Sequence, residues 1–103
     1  MYTIVEHERF QQKAEQVWTM DERLEFLSYL SKYPLSGDVI PHAEGLRKIR
    51  WQAKGKGKRG GVRIIYFNLL EDGLIVALDI YAKNDKENLS DQDMKQLKGE
   101  KNG

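Results

Sequence analysis

Cysteine is absent from this 103-residue chain. That excludes a disulfide framework, a thiolate nucleophile and a thiolate metal site. Proline is scarce, with only Pro34 and Pro41. The two histidines, His7 and His42, have no carboxylate or serine at a spacing that marks a catalytic pair, and both read as ordinary surface histidines. No His/Asp/Glu cluster has metal-ligand spacing, so neither a metal nor another cofactor is expected. No apolar run approaches the roughly 18 residues of a membrane-spanning helix. The first residues, Met1 to Glu8, lack the basic and apolar regions of a signal peptide. The expectation is a cytoplasmic protein with no membrane partner.

The most informative absence concerns one sign of charge. From Gly45 to Leu70 there is no Asp or Glu, while Arg47, Lys48, Arg50, Lys54, Lys56, Lys58, Arg59 and Arg63 all fall in that window. The chain has 17 Lys+Arg and 16 Asp+Glu, so outside the window nine basic residues face sixteen acidic ones. A near-neutral total hides a strong internal charge separation. Trp51, Tyr66 and Phe67 are interleaved with the cations. Positive charge with aromatic side chains suits a polyphosphate ligand, RNA most of all. The alternative is a solvated basic hairpin with no partner.

Tyr2 to Val5 reads as a short strand. Phe10, Ala14 and Val17 then recur at helical spacing from about Glu6 to Val17. Thr19, three residues before Glu22, forms a capping-box pattern that opens a second helix from Met20 to about Lys32. Its apolar stripe includes Leu24, Phe26, Leu27, Leu30 and Tyr33, with the three leucines expected in the core. Pro34 ends it. Irregular chain follows to Gly45, and then three strands: Leu46–Ala53, Val62–Asn68 and Leu74–Tyr81. A glycine-rich cationic loop joins the first two, and a Glu71-Asp72-Gly73 turn joins the last two. Ser90 is placed to cap a final short helix.

The fold class this order predicts is α+β, β-α-α-β-β-β-α. A helical hairpin packs on one face of a mostly antiparallel four-stranded sheet. The other face is left open as a functional surface. Residues 1–98 form one domain, and 99–103 a flexible polar tail. Alternation puts Ile49, Trp51 and Ala53 on one side of their strand, and Lys48, Arg50 and Gln52 on the other. Trp51 therefore reads as core before it reads as a ligand contact.

A cationic surface without an evident base still suffices for one reaction. RNA carries its own nucleophile, the 2′-hydroxyl. A protein that holds this oxygen in line with the scissile phosphorus gains much of the rate by positioning. Arg and Lys then stabilise the extra charge on the phosphorane oxygens. DNA lacks the hydroxyl and is not cut this way. The Gly-Lys-rich loop lacks both the Gly-Lys-Ser/Thr ending and the strand-to-helix context of a nucleotide-binding loop.

The run Gly45 to Phe67 (GLRKIRWQAKGKGKRGGVRIIYF) and the run Leu78 to Ser90 (LDIYAKNDKENLS) resemble the RelE superfamily of bacterial toxins, with the likeness strongest to its HigB-like branch. The order of elements agrees along nearly the whole chain. The resemblance implies the toxin of a type II toxin–antitoxin pair, a metal-independent endoribonuclease that cuts mRNA in the ribosomal A site and inhibits translation. The implied partners are the ribosome with its mRNA and a cognate helix-turn-helix antitoxin, with operator DNA met only through the antitoxin. The implied catalytic set is Arg63, Lys48, Arg50, Tyr81 and Lys83. Arg47, Lys54, Lys56, Lys58, Arg59 and Asn84 are the implied contacts to RNA or the ribosome. The chain departs from its relatives by having Asn84 where they carry an arginine, and Leu89 or Ser90 where they carry a tyrosine, so Tyr81 is the candidate to stack on a base. The rival readings are a non-catalytic relative that blocks translation by occupancy and a free-standing DNA-binding module. No helix is basic enough to favour the latter.

Overall fold

The computed structural model describes residues 1–52, 61–82 and 91–102. Its elements are β1 (Thr3–Glu6), α1 (Glu8–Val17), α2 (Met20–Lys32), β2 (Asp38–Val39), β3 (Arg47–Trp51), β4 (Val62–Leu69), β5 (Leu74–Ala82) and α3 (Asp91–Asn102), with a 3₁₀ turn (Leu70–Asp72) between β4 and β5. The architecture is α+β, as the element order predicts. The sheet has five strands rather than four, in the order β1-β5-β4-β3-β2. The extra strand is the two-residue β2, in a segment whose glycine and proline content masks any strand pattern. β1 pairs parallel to β5, and the other neighbours pair antiparallel.

Local chemistry sets the helix starts. His7 caps α1 by accepting from Arg9 N at Nδ1, 3.1 Å away, so the helix begins two residues later than periodicity alone suggests. Thr19 caps α2 in a complete capping box: Glu22 N donates to Thr19 Oγ1 at 3.2 Å, and Thr19 N donates to Glu22 Oε1 at 2.9 Å.

Both helices cover one face of the sheet. Phe10 and Ala14 of α1, Phe26 and Leu30 of α2, and Ile49, Ile64, Tyr66 and Ile80 of the strands share one buried cluster. Burying each large apolar side chain contributes about 1.5–3 kcal/mol. Leu27 packs against this cluster, but Leu24 is 55% exposed, against the expectation that it is core. Phe26 and Leu30 define the inward stripe, and Leu24 lies roughly 200° around the helix from Phe26.

The opposite face is not fully open, as the element count alone suggested. A second apolar cluster unites Ala43 and Leu46, Ile65 and Phe67 of β4, Leu78 and Tyr81 of β5, and Leu97 of α3. The final helix thus seals part of that face. It also continues through Gly99 and Glu100 to Asn102, where polar composition suggested a loose tail. An ion pair between Arg9 and Glu100 ties this last turn to α1.

Candidate nucleic-acid interface

Arg50, Arg63 and Tyr81 are direct register partners across β3, β4 and β5. One step along lies the row Lys48, Ile65 and Asp79. Residues opposite one another share a face, with Cβ atoms about 5 Å apart. Lys48, Arg50 and Arg63 therefore rise from one side of the sheet, the side opposite α1 and α2. Arg50 is exposed, while Lys48 and Arg63 are half-buried. At the base of the β3–β4 connection Gly61 has φ +65°, and a Cβ there would lie 2.3 Å from the Trp51 carbonyl oxygen, so only glycine lets the two strands approach this closely.

A β-bulge decides what joins the arginines. Ile65 pairs with Asp79 but Tyr66 pairs with Ala77, so the register passes over Leu78. Before the bulge Ile75 and Ala77 face the helices; after it Ile80 does, and Tyr81 turns to the cationic side. Unbroken alternation would put residue 81 on the helix side. Asp79 sits at the bulge. Its Oδ1 accepts from Ile80 N at 2.9 Å and from Lys13 Nζ of α1 at 2.6 Å. Neither Asp79 nor Lys13 stands out in the sequence, because the carboxylate reads as one more position in an apolar strand.

Tyr81 itself is 2% exposed and belongs to the cluster with Leu97. As folded, its ring is part of the second core and not a surface platform for a base. Arg47 also departs from the expected RNA contact. It lies opposite Tyr66 on the helix side of the sheet, and its guanidinium donates to the Gly37 carbonyl at 2.7 Å and to that of Leu35 at 3.4 Å. Lys54, Lys56, Lys58, Arg59, Lys83 and Asn84 lie outside the described residues.

Tyr66 carries a role that composition did not single out. Its hydroxyl donates to the Pro34 carbonyl at 2.8 Å and accepts from Gly37 N at 2.9 Å. Asn68 Nδ2 donates to the same Pro34 carbonyl at 3.0 Å. Burial is the main cause of a Tyr66 pKa above the ordinary tyrosine value, ahead of the opposing effects of the Gly37 N–H and the Arg47 charge. The pair Tyr66 and Arg47 thus fixes residues 34–37 beside β3.

Trp51 packs as its alternation suggests. Its ring lies 5.3 Å from that of Phe26 and 5.0 Å from that of Tyr29, between centroids. Among the described residues, no group of three His, Asp or Glu side chains is arranged to hold a metal ion. No described helix is long and apolar enough to cross a membrane.

No protein-family model matches the chain. Solved structures do. Escherichia coli toxin RelE in the free state, with two arginines replaced by alanine, matches over 97% of this chain and 96% of its own, at 12% identity and a TM-score of 0.63. The isolated E. coli RelE toxin matches over 96% of this chain and 98% of its own, at 14% identity and a TM-score of 0.59. The intact E. coli RelBE toxin–antitoxin complex matches over 78% of this chain and 94% of that chain, at 13% identity and a TM-score of 0.58. Identity this low speaks to architecture alone, and it does so over nearly the whole length: this chain has the fold of the RelE toxins.

Proposed function

We propose that this protein is the toxin of a type II toxin–antitoxin pair, a RelE-superfamily endoribonuclease of the HigB-like branch that cuts mRNA in the ribosomal A site. The observation that carries the reading is the grouping of Lys48, Arg50 and Arg63 on one face of a RelE-like sheet. The structure of a RelE toxin bound to its antitoxin supports a protein antitoxin as partner.

The chemistry asks little of the protein beyond charge and position. The messenger's 2′-oxygen attacks the adjacent phosphorus, and the bond from phosphorus to the 5′-oxygen breaks. A 2′,3′-cyclic phosphate remains on one fragment and a 5′-hydroxyl on the other. The proton leaves the attacking hydroxyl and is returned to the departing oxygen. Arg63 and Arg50 stabilise the charge that builds on the phosphorane, each such contact lowering the barrier by about 3 kcal/mol. Lys48 binds the neighbouring phosphate. Lys83, the next residue in the sequence after Ala82, belongs to the same proposed set. Lys54, Lys56, Lys58, Arg59 and Asn84 hold ribosomal RNA.

Primer extension on mRNA from translating ribosomes tests the reading. Wild-type protein should produce breaks inside codons, and Arg63→Ala should abolish them. Arrested translation without any break would support a second reading, block by occupancy. The burial of Tyr81 favours that reading, because it withdraws the candidate stacking group from the surface.

A further inference from the structure

A groove wraps the outer edge of β3 and reaches Arg50, the end of the arginine row. β2 pairs only with Arg47 and Lys48, so it leaves the outer edge of β3 uncovered from Ile49 to Trp51. Two hollows meet at this edge, sharing Tyr29 and Ser36 in their walls. One, of about 520 Å³, is walled by Tyr29, Tyr33 and Lys32 of the α2 end, and the other, of about 300 Å³, by Lys48 and Arg50. Both fall near the range of small-ligand sites.

The walls have the chemistry of a single-stranded nucleic-acid track. Tyr33 is 55% exposed and Tyr29 36% exposed, with ring centroids 5.0 Å apart. Tyr29 is held from behind by Trp51, which packs on Phe26, and Tyr33 leans on Tyr29. The cations Lys32, Lys48 and Arg50 form no ion pair with any described residue. One carboxylate, Asp38, stands opposite Lys48 in the same groove, leaving the lining net positive. Exposed rings on a rigid base beside a cationic wall are what bind bases by their faces and phosphates by charge.

We infer that this groove is a second RNA site. It takes an unpaired stretch of the messenger, with bases stacked on Tyr33 and Tyr29 and phosphates on Lys32, Lys48 and Arg50, and leads the strand around the β3 edge toward Arg63. The inference rests on the proposed ribonuclease reading and extends it from a point of cutting to a path of binding.

The test measures binding of a short fluorescein-labelled 2′-O-methyl oligoadenylate, which cannot be cut, by fluorescence anisotropy. Tyr33→Ala should weaken binding roughly tenfold, as expected for loss of one stacked base. Tyr33→Phe should bind like wild type, because stacking needs the ring and not the hydroxyl. Thermal melts of both variants check that the fold is intact. Tyr33→Ala binding as tightly as wild type, while wild type still cuts mRNA on ribosomes, overturns the groove and leaves the enzyme standing. Wild type that neither binds this probe nor cuts overturns both. Tyr33→Ala that weakens a complex with the antitoxin, at unchanged RNA affinity, makes the groove a protein-docking surface and overturns the inference.

Discussion

Arg50 and Arg63 stand directly opposite one another on neighbouring antiparallel strands. Like charges in register are destabilising by a few tenths of a kcal/mol or more. Placing two guanidinium groups there favours an anion that bridges them over the stability of the empty sheet. Arg50→Gln is expected to leave the melting temperature unchanged or slightly raised. The same substitution should weaken RNA binding and flatten its logarithmic salt dependence by about one. Melts and salt-dependent binding on one preparation check both halves.

Lys13→Met tests the lock on the bulge. Asp79 is buried with its carboxylate accepting from Lys13 and from Ile80 N. Removing the lysine leaves a buried acceptor with one donor fewer. Lys13 is itself more than a third exposed, so solvent screens much of the attraction. The expected loss is about 1–2 kcal/mol for Lys13→Met and about 1–3 kcal/mol for Asp79→Ala, which also orphans the Ile80 N–H. Urea unfolding reads both. A cost of a few tenths for Asp79→Ala would show that the bulge is held by packing alone.

Gly37→Ala probes a close approach. A Cβ at this position would sit 2.7 Å from the Tyr66 hydroxyl oxygen and 2.8 Å from Cε1 of the ring. The ring is in the core and cannot swing out, so the expected destabilisation is about 1–3 kcal/mol. Combined with Tyr66→Phe, the double variant should lose less than the sum of the two separate losses, since the second change removes one of the two atoms the first collides with. Chemical denaturation of the two single variants and the double variant supplies the cycle.

Tyr66 also predicts an alkaline limb in the stability curve. Its pKa in the folded protein lies above the ordinary value of 10.0, chiefly through burial. The folded state therefore holds the phenolic proton more tightly than the unfolded chain does. This contribution is fully present below pH 10 and is lost as pH rises through the folded value. Tyr66→Phe should lower stability near neutrality by about 1–3 kcal/mol, because Gly37 N and the Pro34 carbonyl lose a partner. It should also reduce the loss between neutral pH and about pH 11. Urea midpoints at the two pH values give both quantities.

Leu24 and Leu97 make a contrasting pair. Leu97 is 1% exposed and Leu24 55% exposed. Leu97→Ala should cost about 2–4 kcal/mol, and Leu24→Ala no more than about 0.5 kcal/mol. Thermal or urea unfolding distinguishes them directly. Equal costs would mean that α3 does not seal the second core.

Much of the fold was legible because local rules operate on neighbouring residues. Thr19 and Glu22 announced α2 through a hydrogen-bonding pattern three residues long. Alternation along β3 put Trp51 with Ile49 and Lys48 with Arg50, and both assignments hold in three dimensions. Leu24 faces solvent although its spacing suits the core, because several periodic leucines compete for one stripe and only docking against the sheet chooses the rotation of the helix. The two-residue β2 had no pattern to read. Its pairing depends on the chain doubling back after Pro41, where His42 and Glu44 take positive φ values of 58° and 54°.

The candidate site divides in the same way. Charge composition alone selected the basic window, a period of two residues put Lys48 and Arg50 on a common side, and the β3–β4 register adds Arg63 to them. The resemblance gives Arg47 only an RNA contact, while the same period of two places it with Ile49 and Trp51, and the fold turns it to the helix side to hold the Pro34–Gly37 segment. Tyr81 reads as an aromatic at a strand end, yet it shares a buried cluster with Leu97 of α3.

The amino-acid order by itself settled that two helices precede three long strands and which strand carries positive charge, because capping, periodicity and sign of charge are properties of adjacent residues. Only the tertiary structure decided which way residue 81 faces, that α3 shares the cationic side of the sheet, and that an aromatic groove opens beside β3. Each of these depends on pairings between distant segments, where one skipped residue in a register reverses every side chain beyond it.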